Sequence, residues 1–199
     1  EMKNLTTFTD TATLGLSTTW DFDTVWNIKD DKNDGYPCLQ WTDGCPEVPE
    51  TDDTDGIAAS TEDDAPNGGD ANNDGTDDSI QNHVSSFVNP VTNKYTVVET
   101  DSSCSLASVA AAAESSKSVV DSGYNYATGL VNFTANCGTP GYTTTVRVIV
   151  FDISPSGLTL RKFNPNTSAY FSVSGATLSS VTIGGRSATV ATYQIVDGG

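Results

Sequence analysis

The chain has 199 residues, 26 acidic against nine basic, and a formal net charge of −17. Such a balance excludes a nucleic-acid partner, because binding phosphate needs a cationic footprint. No apolar run approaches the roughly 20 residues needed to span a bilayer, so no transmembrane segment is expected.

In chain order, residues 1–45 carry all three tryptophans. Trp20, Phe22, Trp26, Ile28, Leu39 and Trp41 are separated by polar residues at mostly strand-like spacing, and Asp34-Gly35 supplies a turn. This predicts a small N-terminal β unit with an aromatic core. The other use of flat indoles is to stack on pyranose rings, which makes Trp20, Trp26 or Trp41 candidates for a surface-glycan site. MKNLTTFT, GLSTTWDF, VWNI and GYPCLQW resemble the closing unit of the short β-solenoid repeats of filamentous-haemagglutinin-like and GLUG-type bacterial adhesins. That resemblance implies that a longer repetitive region precedes Glu1. If Glu1 is instead a matured terminus, the Thr-rich strand 4–14 is a candidate for exchange between subunits of a filament.

Residues 46–90 form the second expected unit. Thirteen acidic residues fall between Asp43 and Asp78 with no Lys or Arg among them. Such a stretch repels itself unless cations neutralise it. Within it, DANNDGTDDSIQ (70–81) follows the twelve-residue calcium loop: Asp70, Asn72 and Asp74 at positions 1, 3 and 5, then the Thr76 carbonyl, then Asp78, with Gln81 closing the shell. Gly75 takes the sharp turn at position 6. Alternate residues suit calcium because a hard cation taking six to eight oxygens is wrapped by a loop whose every second side chain points inward. Gln81, where a bidentate Glu is usual, weakens the match.

The pattern recurs at 51–62. Asp53, Asp55 and Gly56 align with Asn72, Asp74 and Gly75, and Glu62 aligns with Gln81. A second Ca2+ is therefore expected on Asp53, Asp55, the Ile57 carbonyl and Glu62. Thr51 and Ala59 depart from the pattern, which leaves Asp52, Asp63, Asp64 or Asn67 to complete or bridge the shells. The competing reading of the whole segment is a solvated acidic linker.

SIQNHVSSF (79–87) has the length of two helical turns, with Ile80, Val84 and Phe87 on one face and His83 off it. His83 has no evident acid or nucleophile partner and is expected to be an exposed polar residue. From 91 to 199 the chain reads as β. YTVVE, YATGLVNFTA, TTTVRVIVF, AYFSVS, ATLSSVTI and SATVATYQIV are β-branched or aromatic runs separated by turn signals, which predicts an antiparallel β-sandwich. The Ala-rich run 107–113 fits either a strand or a helical turn. Four cysteines in an oxidising compartment pair most naturally as Cys38–Cys45 and Cys104–Cys137, and their spacings lack the close CxxC elements of zinc sites.

Across 52–199 the chain is similar to the choice-of-anchor U domain of bacterial surface proteins. DAPNGGD, NNDGTDDSIQNHV, the CSL at Cys104, YNYATGLVNFTANC and ATYQIVDGG carry the resemblance, and the acidic lead also looks like thrombospondin type-3 repeats. It implies a secreted, cell-surface parent with this module near a C-terminal anchor. No GxSxG or HExxH motif is present, and no Cys–His pairing is evident. An autocatalytic isopeptide among Lys94, Glu99 and Asn132 is the one covalent chemistry the residues suggest. The expected function is a calcium-stabilised structural or adhesive module, not an enzyme. Its possible partners are a surface glycan, a protein receptor, or further copies of itself in a filament.

Overall fold

The computed structural model describes Trp26–Asn27, Cys38–Leu39, Asp53 and residues 55–196. The chain divides into units Glu1–Glu50 and Thr51–Gly199. In the first, β1 (Trp26–Asn27) pairs antiparallel with β2 (Cys38–Leu39). The expected aromatic core, strand 4–14 and Cys38–Cys45 bridge otherwise lie outside the described residues.

The second unit is built on an antiparallel five-stranded sheet in the order β10-β11-β7-β4-β3. Its strands are β3 (Val84–Asn89), β4 (Lys94–Glu99), β7 (Thr143–Phe151), β10 (Thr177–Ile183) and β11 (Arg186–Val196). β7, at the centre, shows why the sheet forms. Its β-branched run alternates faces, sending Ile149 and Phe151 to one side and Val146, Val148 and Val150 to the other. β11 follows suit in register: Val190 lies opposite Ile149 and Ala191 opposite Val148. The sheet is thus apolar on both faces, and each must be covered.

One face is covered by two antiparallel ribbons. β5 (Ser105–Ala112) pairs with β6 (Leu130–Asn136), and β8 (Arg161–Asn164) pairs with β9 (Ala169–Ser172). Leu106, Val109, Phe133 and Leu160 pack there against Phe87, Val98 and Val148. Cys104 and Cys137 are joined, as expected, and close the end of the β5–β6 ribbon beside the Ser105–Asn136 pair. The other face is covered by the acidic segment itself. Ala65 and Ala71 sit in one core with Val84, Val97, Ile149, Phe151, Ile183 and Val190, and the Tyr95 hydroxyl donates to the Thr61 carbonyl at 2.9 Å. The compact unit beginning at Thr51 therefore takes in residues 51–90 of the segment expected at 46–90 together with the sandwich expected at 91–199.

The mainly β, sandwich-like architecture is as the sequence suggests, but the helix is elsewhere. The single α-helix among the described residues is α1 (Ala59–Asp63), and Asp78–Ile80 makes one 3-10 turn. The helix expected over 79–87 does not form: Val84–Asn89 is instead an edge strand, paired with β4 from Val84 opposite Glu99 to Asn89 opposite Lys94, with the outward Ser86 N–H donated to Glu62. Val84 and Phe87 consequently enter opposite cores, and Ile80 is exposed. The Ala-rich run is β5, interrupted by an irregularity between Ala107 and Ala110 where Ser108 takes φ 55°. The β10–β11 hairpin turns on Gly184 and Gly185, φ 55° and 78°, the pair of positive values a two-residue turn of this hand requires. A Cβ at Gly184 would stand 3.0 Å from the backbone of Asn67, so this turn also fits closely against the acidic segment.

Candidate metal centre

The second expected calcium loop joins the covering layer through Ala71, the first reaches the opposite core through Ile57, and the two differ in how their oxygens converge. In the first, Asx turns tighten the chain: Asp53 Oδ1 accepts the Asp55 N–H at 3.2 Å, and Asp55 Oδ1 accepts the Ile57 N–H at 2.6 Å. α1 then returns the chain so that Glu62 faces back toward the loop. Ligand atoms of Asp53, Asp55 and Glu62 lie within 4.8 Å of one another, the only such group of three or more His, Cys, Asp or Glu among the described residues.

Glu62 is fully buried. Its Oε1 accepts the Ser86 N–H of β3 at 2.9 Å, while Oε2, equally buried, has no hydrogen-bond partner. Burial, reinforced by the charges of Asp55, Asp53 and Asp78, pushes its carboxyl up to about 9 against the lowering effect of the Ser86 N–H. A carboxylate is expensive in such a place without a cation, and a buried acceptor oxygen without a donor is what a missing positive charge would satisfy.

The second loop is folded more tightly on itself. The Asp70 carboxylate accepts the N–H groups of Asp74 and Gly75 at 3.0 and 3.1 Å, and Asn72 Oδ1 accepts the Asp74 N–H at 3.1 Å. Asp74 Oδ1 accepts the Thr76 N–H at 2.9 Å. Gln81 closes the loop, donating Nε2 to Asp74 Oδ1 at 3.2 Å and to the Thr76 carbonyl at 3.0 Å. It thus reaches two of the other expected ligands, and turning its amide over would present Oε1 to the same point. Partial burial pushes the Asp74 carboxyl up, but hydrogen bonds from Asn72, Thr76 and Gln81 outweigh this and hold it below its ordinary range.

Asp78 stands apart from the other five. It is fully buried; Oδ2 accepts the Ala71 N–H at 3.2 Å, Oδ1 has no hydrogen-bond partner, and its charge is felt at Glu62 of the first loop. Burial, with Asp70 adding to it, pushes its carboxyl up to about 7. Asp78 therefore lies near enough for its charge to bear on Glu62 of the first loop, a placement that spacing along the chain does not signal. Of the bridging candidates, Asp63 accepts the Ser79 hydroxyl at 2.6 Å, and Asn67 donates to Asp70.

The remaining candidates do not assemble. Lys94 Nζ donates to the Asp152 carbonyl at 2.8 Å, Glu99 pairs with Arg147, and Asn132 donates to Ser108, so the isopeptide trio is dispersed. His83 is half-buried, with its carbonyl accepting the Thr100 N–H. No protein-family model, curated protein or solved structure matches the chain.

Proposed function

We propose that this chain is a calcium-stabilised structural or adhesive module of a secreted bacterial surface protein, not an enzyme. The observation that carries the reading is the Asp53, Asp55 and Glu62 cluster with the buried, partnerless Oε2 of Glu62 at its edge. Three carboxylates and a loop carbonyl are a hard-oxygen set, suited to Ca2+ and unsuited to softer metals. Asp53, Asp55, Glu62 and the Ile57 carbonyl would hold one ion; Asp70, Asn72, Asp74, Thr76 and Gln81 would hold another, with Asp78 between them. The bound ions would neutralise charge that no Lys or Arg of this segment can balance. The burial of Glu62 and Asp78 supports a structural role, since both side chains are closed off from solvent. An extracellular setting agrees with the Cys104–Cys137 bridge and with the millimolar calcium found there.

Titration calorimetry of the chelator-treated chain should show calcium binding, with magnesium much weaker, because six to eight ligands in an irregular shell do not meet the octahedral demand of magnesium. Glu62→Gln should weaken one class of site at least tenfold and leave the other. Absence of heat at millimolar calcium, or equal affinity for both ions, would overturn the proposal.

A further inference from the structure

The two covered faces of the sheet are not finished to the same degree. Under the acidic segment Val84, Val97, Ile149 and Phe151 are completely buried. Over the opposite face the second layer consists of two separate ribbons, each of two strands. The inward side chains of β6, Val131, Phe133 and Ala135, are only half-buried. A groove of about 1280 Å3 runs here, floored by Val148, Val150, Ala191 and Tyr193 of the sheet. Its walls include β6 and β8, whereas β9 contributes nothing. Since β6 pairs only with β5 and β8 only with β9, each presents to the groove's layer an edge with no ladder partner among the described residues.

Charge marks the same place. In a protein of net charge −17, no Asp or Glu lines this groove, but Lys117, Arg161 and Lys162 do. Arg161 is engaged by Asp121 at 2.7 and 2.9 Å. Lys117 and Lys162 lie over the rings of Phe163 and Tyr193, 5.5 and 6.0 Å from their centroids, and neither is in an ion pair among the described residues.

We propose that this groove binds an extended acidic peptide segment of a partner protein as an added strand between the β6 and β8 ribbons. Its alternate apolar side chains would complete the half-covered core, its main chain would take up the unpaired strand edges, and its Asp or Glu side chains would meet Lys117 and Lys162. The groove exceeds the roughly 300–1,000 Å3 usual for a small molecule. An anionic polysaccharide would satisfy the cations but set its hydroxyls against an aliphatic floor, which disfavours it. This inference does not rest on the calcium reading, because no residue of either acidic loop lines the groove.

The test is to select binders to the full 199-residue chain, calcium-loaded, from a displayed library of random twelve-residue peptides. Enriched peptides should alternate apolar residues, carry Asp or Glu and lack proline. A synthetic copy should slow amide exchange at 130–136 and 161–164 and lose affinity at least tenfold against the Lys117→Glu, Lys162→Glu double variant. Lys94→Glu, which lies off the groove, should leave affinity unchanged. No enrichment, enrichment of basic or proline-rich peptides, protection elsewhere, or binding indifferent to the charge reversal would each overturn the proposal. So would stronger protection of the groove by alginate or heparin than by any peptide. Concentration-dependent protection of β6 and β8 in the isolated chain would make the occupant a second copy and refute a foreign partner.

Discussion

At Glu62 a proton and a metal ion are alternative ways of tolerating one buried carboxyl. In the metal-free protein its carboxyl titrates near 9, against an ordinary value of 4.5. Between those limits the folded chain holds a proton that the unfolded chain has released, so stability falls with rising pH. The contribution is complete below about pH 4.5 and lost as pH approaches 9. Asp78, raised to about 7, adds a slope of the same sign over the lower part of that range. Thermal melts in chelator should therefore show falling stability from pH 6 to 9, and Glu62→Gln should flatten the upper part of the curve. Calcium should flatten it as well, by taking the place of the proton. A metal-free protein whose stability rises over this range would contradict the assignment. The spacing of Asp53, Asp55 and Glu62 was enough to nominate them from sequence. The burial of Asp78 near Glu62 was not, because it depends on the tertiary fold and not on spacing along the chain.

At the scale of the element, period-two runs of β-branched residues were legible wherever the strand is central. TTTVRVIVF and SATVATYQIV became β7 and β11 with few changes of boundary. The stretch 79–87 misled because Ile80, Val84 and Phe87 fit a helical stripe, while the partner that makes β3 a strand lies in the following hairpin arm. β5 was ambiguous for a different reason. Alanine has weak strand preference, and the ribbon is held by Leu106 and Val109 on the sheet and by the disulfide at its end. That bridge closes a separation of 33 residues, and the chain-entropy model gives it about 3–4 kcal/mol. The Cys104→Ser, Cys137→Ser double variant should lose about that amount in urea unfolding at saturating calcium, with increased amide exchange centred on β5 and β6. Retention of full stability would mean that packing alone fixes the ribbon.

For the molecule as a whole, the question is whether the acidic segment is an appendage or a wall. A solvated linker, or a calcium module hung beside a sandwich, would melt on chelation and leave the strands intact. The fold argues otherwise, because Ala65 and Ala71 share a core with Val97, Ile149 and Phe151, Glu62 bonds the backbone of β3, and Asn67 abuts the turn at Gly184. Releasing the ions should loosen the layer that keeps one sheet face dry, so calcium should act on the unit from Thr51 onward as one cooperative body. A ligand bound only by the folded state at a hundredfold excess over its Kd adds about 2.7 kcal/mol. For a unit of this size that shifts Tm by about 5–10 °C. Calorimetric scans with calcium and with chelator should therefore show one transition of this unit moving by that amount, and chelated protein should bind a hydrophobic dye before it unfolds. A calcium-sensitive step well below a calcium-insensitive one would show instead that the sheet stands without the acidic layer, and the apolar contacts at Ala65 and Ala71 would then be incidental to its stability.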